Sequence, residues 1–178
     1  MNKGGFLTLV IGPPATGKST FIKELTKNKH YHIVYLDDIA QELHLSNCEV
    51  SGIPYSDALV DLAAKESIRI GLKHTQQGNV LVEICHFDYI SLLSTYDSTI
   101  IKSISVIAFS APLIVTLKRN QQRPKGKRVP ICACKRYYEA FHRDIHYLES
   151  LNTYFFKFND SLSQKEMHEL CELLSKLN

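Results

Sequence analysis

The chain has 178 residues, 44% of them hydrophobic and 22% charged, and its formal net charge at pH 7 is +3. That length can bury one substantial core, and the composition excludes a disordered or fibrous chain. The small net charge excludes a general nucleic-acid footprint, and no segment approaches the roughly 18 apolar residues of a membrane helix.

Taken in order, the chain alternates between strand-like and helix-like segments. Phe6–Ile11 is an apolar run that reads as a first strand, too short for the apolar region of a signal peptide, so the cytosol is the expected compartment. Ser19 to about Lys27 reads as a helix and Ile33–Leu36 as a short second strand. Asp38-Ile39-Ala40-Gln41 has the form of a capping box, which predicts a helix opening at Asp38 and leaves Asp37 at the strand tip. Pro54 precedes a longer helix to about Gln77, in which Leu59, Leu62, Ala63, Glu66, Ile70 and Lys73 recur with mostly helical spacing. Gly78-Asn79 then turns the chain into a third strand, Val80–Ile84, and Ser103–Phe109 is a fourth. Residues 113–123 read as helix, Pro124–Val129 as a loop, Pro130–Leu151 as helix and Tyr154–Phe158 as a fifth strand. Ser163-x-x-Glu166 caps a final helix carrying Met167, Leu170, Leu173, Leu174 and Leu177.

Apolar strands separated by helices predict one doubly wound α/β domain over residues 1–178, with a five-stranded parallel sheet covered on both faces. Ligands of such sheets sit beyond the carboxyl ends of the strands. Five cysteines, odd in number and without C-x-x-C spacing, argue against a disulfide framework. Zinc held by Cys132, Cys134, His142 and His146 is the sharper alternative, but the two cysteines lie two apart and would not share the helix face that suits the histidines.

The strongest motif follows the first strand. Gly12-Pro13-Pro14-Ala15-Thr16-Gly17-Lys18-Ser19 is a complete G-x-x-x-x-G-K-[S/T] phosphate loop between a strand and a helix. There the backbone amides and the helix dipole both favour an anion. Lys18 is placed to reach the β- and γ-phosphates of ATP, Ser19 to ligate Mg²⁺, and Thr20 to add a hydroxyl near the α-phosphate.

Three other places carry candidate chemistry. Asp37, at the second strand tip, is the expected general base for an attacking hydroxyl. Glu83 follows an apolar strand, where a carboxylate serves Mg²⁺ or orients a basic group, and His86 just beyond is a candidate substrate contact. Between residues 118 and 136 lie eight of the 21 basic residues and no acid, and removing them from the net +3 leaves −5, so the positive charge is local. Arg119 and Arg123 are expected on one helix face to grip phosphate, and Pro124 and Gly126 form a hinge suited to a closing lid.

Together, GPPATGKSTF, Leu36-Asp37-Asp38-Ile39, and Arg119-Asn120-x-x-Arg123 followed by Val129-Pro130 and Tyr137-Tyr138 resemble the phage-type polynucleotide 5′-kinase domain and its P-loop kinase relatives. The resemblance spans about residues 6–150 and implies a three-layer fold with sheet order 2-3-1-4-5 and a helical lid over about 118–136. It also implies Asp37 as general base, Lys18 and Arg123 on the transferring phosphoryl group, Arg119 supporting the lid, and a 5′-hydroxyl of DNA or RNA as acceptor. The sequence departs from the family on the acceptor side. Ala40 stands where an arginine holds the acceptor's phosphate, Glu83-Ile84-Cys85 replaces Asp-x-Asn, and a lid longer by one residue offers Arg128 as an extra phosphate contact. Small-molecule kinases of nucleosides, sugars or antibiotics, zeta-type toxins acting on nucleotide-sugars, and a non-catalytic nucleotide sensor are the competing expectations.

Overall fold

A computed structural model describes residues 5–28, 30–47 and 56–151, and the backbone of 153–157. The strands are β1 (Leu7–Ile11), β2 (His32–Tyr35), β3 (Val80–Ile84), β4 (Ile104–Ser110) and β5 (Thr153–Lys157), all parallel in the order β2-β3-β1-β4-β5. Central β1 ends in register with its neighbours, Ile11 lying beside both Ile84 and Ala108, so these strands deliver the chain to one edge together.

Eight α-helices are seen among the described residues: α1 (Lys18–Leu25), α2 (Leu36–Asn47), α3 (Asp57–His74), α4 (Tyr89–Ser94), α5 (Ser98–Ser103), α6 (Leu113–Gln122), α7 (Ile131–Arg143) and α8 (Ile145–Glu149). Because successive strand residues point to opposite faces, β1 feeds two cores. Leu7, Leu9 and Ile11 join Ala63, Ile68, Tyr89, Phe141 and Leu148 on one side, whereas Val10 joins Phe21, Ile22, Leu25 and Phe109 on the other. A strand buried on both faces has no polar alternation to keep, which is why β1 reads as an unbroken apolar run. No helix among the described residues is long and apolar enough to cross a membrane.

Several local expectations are corrected. The chain passes from β2 directly into α2 at buried Leu36, so Asp38 is not an N-cap; Asp37 and Asp38 both occupy the first turn, where the helix dipole favours carboxylates. α6 stops at Gln122 and Arg123 is extended (φ −68°, ψ 152°), because a following proline disfavours helical backbone. Arg119 and Arg123 therefore do not share a continuous helix face. The helix expected over 130–151 breaks at buried Asp144, and residues 125–127 form a single 3-10 turn within the expected loop. Helices α4 and α5 were not anticipated, although Asp88 and Asp97 cap them by accepting the amides of Ser91 (2.9 Å) and Thr99 (2.7 Å). Pro54 and the helix expected after Ser163 lie outside the described residues.

Candidate active site

The phosphate loop occupies the carboxyl end of β1. Gly12 has φ +143°, and a Cβ there would sit 2.3 Å from the Phe109 carbonyl oxygen on β4, so only glycine fits between the strands. Gly17, with φ +104°, has open space around it, and its requirement is purely conformational as the residue that starts α1. Ala15 also takes a positive φ of 61°, a conformation that costs a residue with a Cβ and that the surrounding loop must hold. Part of the hold is visible: Thr16 is buried and its hydroxyl donates to the Pro13 carbonyl at 2.8 Å. Pro13 and Pro14 are buried as well, whereas Thr20 is exposed.

Lys18 is only 4% exposed, and its ammonium donates to the carbonyls of Gly12 (2.8 Å) and Pro13 (2.9 Å). The charge is thus stored against the loop itself, a position from which a phosphate oxygen can capture it. Beside it the Ser19 hydroxyl donates to Glu83 Oε1 at 3.1 Å, joining the start of α1 to the end of β3. Two adjacent oxygen donors, one anionic, suit Mg²⁺, which keeps several waters and takes its remaining ligands from phosphate. No cluster of three or more His, Cys, Asp or Glu able to hold a metal occurs among the described residues, which include Cys132, Cys134, His142 and His146.

Cys85 reports which charges converge here. Burial pushes its thiol up to about 12, the Lys18 ammonium opposes that rise, and the carboxylates of Asp37 and Glu83 add to it. Tyr137 on α7 feels the same neighbourhood: burial raises its phenol most, with Cys85 and Asp37 among the further causes and Arg136 opposing them. Asp37 itself is exposed, while Ala40 is wholly buried in the core, so position 40 faces away from any acceptor.

The basic segment is held mainly by its own contacts. Buried Asn120 bridges it, donating to the Val129 carbonyl (2.7 Å) and accepting the Val129 amide (3.0 Å), and Arg128 Nε donates to the Arg123 carbonyl (2.6 Å). Arg119 and Arg123 are half-buried and Arg128 is exposed. Among the described residues no hydrogen bond joins Arg119, Arg123 or Arg128 to residues 12–20. Arg136 on α7 forms a bidentate pair with Asp57 at the start of α3 (3.0 and 2.5 Å) and lies 5.3 Å from the centre of the Phe87 ring.

His86 is 1% exposed and stacks on Phe87 at 4.6 Å. Its Nδ1 lies 2.8 Å from the Asp88 carbonyl, and its Nε2 is 3.5 Å from Asp61 Oδ1. Burial lowers its pKa, against the smaller opposing pull of the Asp88 carbonyl and of Asp61, so the ring is neutral near pH 7. Its neighbour Tyr89 was not singled out by sequence: its hydroxyl accepts the amides of Gly12 (3.3 Å) and His86 (3.1 Å). Nothing local marks that role, since Gly12 is 77 residues away. Asn120 was legible only as part of a motif whose arginines drew the attention.

No known family profile matches the chain, and no curated protein matches it. Solved structures do. A gluconokinase from Sinorhizobium meliloti 1021 superposes with a TM-score of 0.63 at 16% identity, covering 98% of each chain. A shikimate kinase from Bacteroides thetaiotaomicron gives 0.61 at 11%, covering 97% of each. A chain of the Pnkp1/Rnl/Hen1 RNA repair complex gives 0.58 at 20%, covering 83% of this chain and 47% of that one. At such identities the likeness concerns the fold alone, an α/β domain on a parallel sheet with the phosphate loop after β1, which the chain shares with these kinases.

Proposed function

We propose that this protein is an ATP- and Mg²⁺-dependent phosphotransferase acting on a hydroxyl, with the 5′-hydroxyl of DNA or RNA as its acceptor. The observation that carries the reading is the placement of Lys18 and the Ser19–Glu83 pair at the carboxyl ends of β1 and β3, with Asp37 in the first turn that follows β2. Gly12 to Thr20 would cradle the phosphates through the loop amides. Ser19 and Glu83 would hold Mg²⁺, which supplies charge neutralisation on the phosphate oxygens.

Asp37 takes the proton of the acceptor hydroxyl as its oxygen bonds to the γ-phosphorus, and the bond from that phosphorus to the bridging oxygen of ADP breaks. Lys18 and Arg123 neutralise charge on the phosphoryl and leaving oxygens, Arg119 steadies the lid, and Arg128 adds a phosphate contact. Closure of the 118–136 segment brings these arginines inward and excludes water. His86 is buried, and contact with substrate would need it uncovered. The nucleic-acid acceptor is supported by the local run of basic residues, by the motif resemblance and by the likeness to a chain of an RNA repair complex.

A small hydroxyl acceptor is the second reading. It is favoured by near-complete coverage, in both directions, of a gluconokinase and a shikimate kinase. Transfer of γ-³²P from ATP to a panel of 5′-hydroxyl oligonucleotides, nucleosides and sugars separates the two. Label on oligonucleotides establishes the first reading, and label on small molecules alone replaces it with the second. Bound ATP with no transfer to any acceptor would contradict the enzymatic reading.

A further inference from the structure

Tyr89 is among the largest fully buried side chains, at 1% exposure, and three parts of the site meet on it. Its hydroxyl oxygen accepts the Gly12 amide at the start of the phosphate loop and the His86 amide just after β3. Both lone pairs of a phenolic oxygen are then used. Its own backbone amide, in the first turn of α4, donates to Asp144 Oδ2 at 2.8 Å. Asp144 is also buried, and its carboxylate receives Arg143 Nε at 2.7 Å and Nη2 at 3.1 Å, at the joint between α7 and α8. Packing fixes the ring independently, edge-on to Phe141 with centroids 6.0 Å apart.

From this geometry we infer that Tyr89 is a positioning residue for the phosphate loop, and that Asp144 couples its placement to the helix that follows the basic segment. A loop that binds phosphate through backbone amides depends on the orientation of each peptide plane. Gly12, free of a Cβ and at φ +143°, has little of its own to fix that plane. The Tyr89 oxygen supplies the missing constraint. By holding the His86 amide with the same atom, it ties the loop to the end of β3, where Glu83 meets Ser19. Burial keeps the phenol protonated, so the group remains a neutral acceptor of the two amides. The inference rests on the nucleotide-binding part of the proposed function and not on the identity of the acceptor.

The test is equilibrium binding of Mg²⁺-ATP and of ADP to wild type, Tyr89→Phe, Asp144→Asn and, as a core control, Leu92→Val, each with its Tm. Tyr89→Phe keeps the packing and leaves two buried amides without an acceptor, so nucleotide affinity should fall by about tenfold. Asp144→Asn should weaken it less, and Leu92→Val should lower Tm while leaving affinity unchanged. If Tyr89→Phe lowers only Tm, or lowers affinity no more than Leu92→Val at equal loss of Tm, the residue is structural and the inference is overturned. A wild-type protein that binds no nucleotide would instead defeat the proposed function itself.

Discussion

The phosphate loop and the basic segment both concentrate positive charge, yet the one is buried and the other largely exposed. Around the loop, buried Lys18 and Thr16 bond to the loop's own carbonyls, and the loop is tied outward by the Gly12 amide to Tyr89 on α4 and by the Ser19 hydroxyl to Glu83 on β3, 77 and 64 residues along the chain. Between Asn120 and Val129, Arg128 and the 3-10 turn are exposed and the side-chain bonds stay within the stretch, from Asn120 to Val129 and from Arg128 to Arg123, whereas Arg136 at the far end of the basic segment is tied to Asp57 on α3. A pre-formed anion site needs fixed donors, whereas a cover must open to admit nucleotide. On the proposed function, the difference assigns the two sets of cations separate duties: Lys18 would wait in place, and the arginines would arrive.

That contrast can be broken at several points. If Arg123 reaches the phosphoryl group only at closure, Arg123→Ala should cost about 10³-fold in kcat, the scale of a missing arginine finger, with little change in ATP affinity. A mutant whose ATP affinity falls as far as its kcat would show that Arg123 belongs to the resting site. Glu83→Gln probes the fixed side: it keeps the hydrogen bond from Ser19 but removes the anion, so the Mg²⁺ concentration for half-maximal rate should rise about tenfold. Unchanged Mg²⁺ dependence would remove Glu83 from the metal site.

Smaller effects sharpen the same comparison. Asn120→Ala takes away both bonds to Val129 and should lower Tm by roughly 5 °C and slow turnover several-fold, with nucleotide affinity untouched. The smallest expected effect concerns His86. Its folded pKa lies below the ordinary 6.5, so the unfolded chain binds the proton more readily, and stability is full above about pH 6.5 and falls as pH drops toward the folded value. Asp61 and Asp88 moderate the effect and Lys65 reinforces it. Tm measured from pH 8 to pH 5 should fall less in His86→Gln than in wild type; identical slopes would show that His86 carries none of this dependence.

The fixed side was also the legible side. The strand-loop-helix order, the two glycines, Lys18 and Ser19 could be read because the motif that holds them is contiguous over Gly12–Ser19, although Gly12 also fits against Phe109 and Ser19 bonds to Glu83. β3 was legible to its ends because Gly78-Asn79 starts it and its apolar run stops at Ile84. What escaped depends on distant partners. Asp144 looks like one more polar residue in a long helix until its carboxylate is seen accepting the Tyr89 amide, 55 residues away, and paired with the Arg143 guanidinium, contacts that together make burying it tolerable where α7 ends. α4 and α5, each six residues long, are too short to show helical periodicity, and their only advance signals were the capping aspartates 88 and 97. Arg123 was misplaced by treating the helix as running to the proline, when the residue before proline is the one that leaves it.

The central claim is that Asp37 takes a proton from an acceptor hydroxyl beside a fixed phosphate site. Its most direct test is single-turnover transfer from γ-labelled ATP by Asp37→Asn, with ATP affinity measured on the same preparation. The account predicts a rate lower by about 10²–10⁴-fold with affinity within about threefold of wild type. A mutant that transfers phosphate at close to the wild-type rate would contradict it.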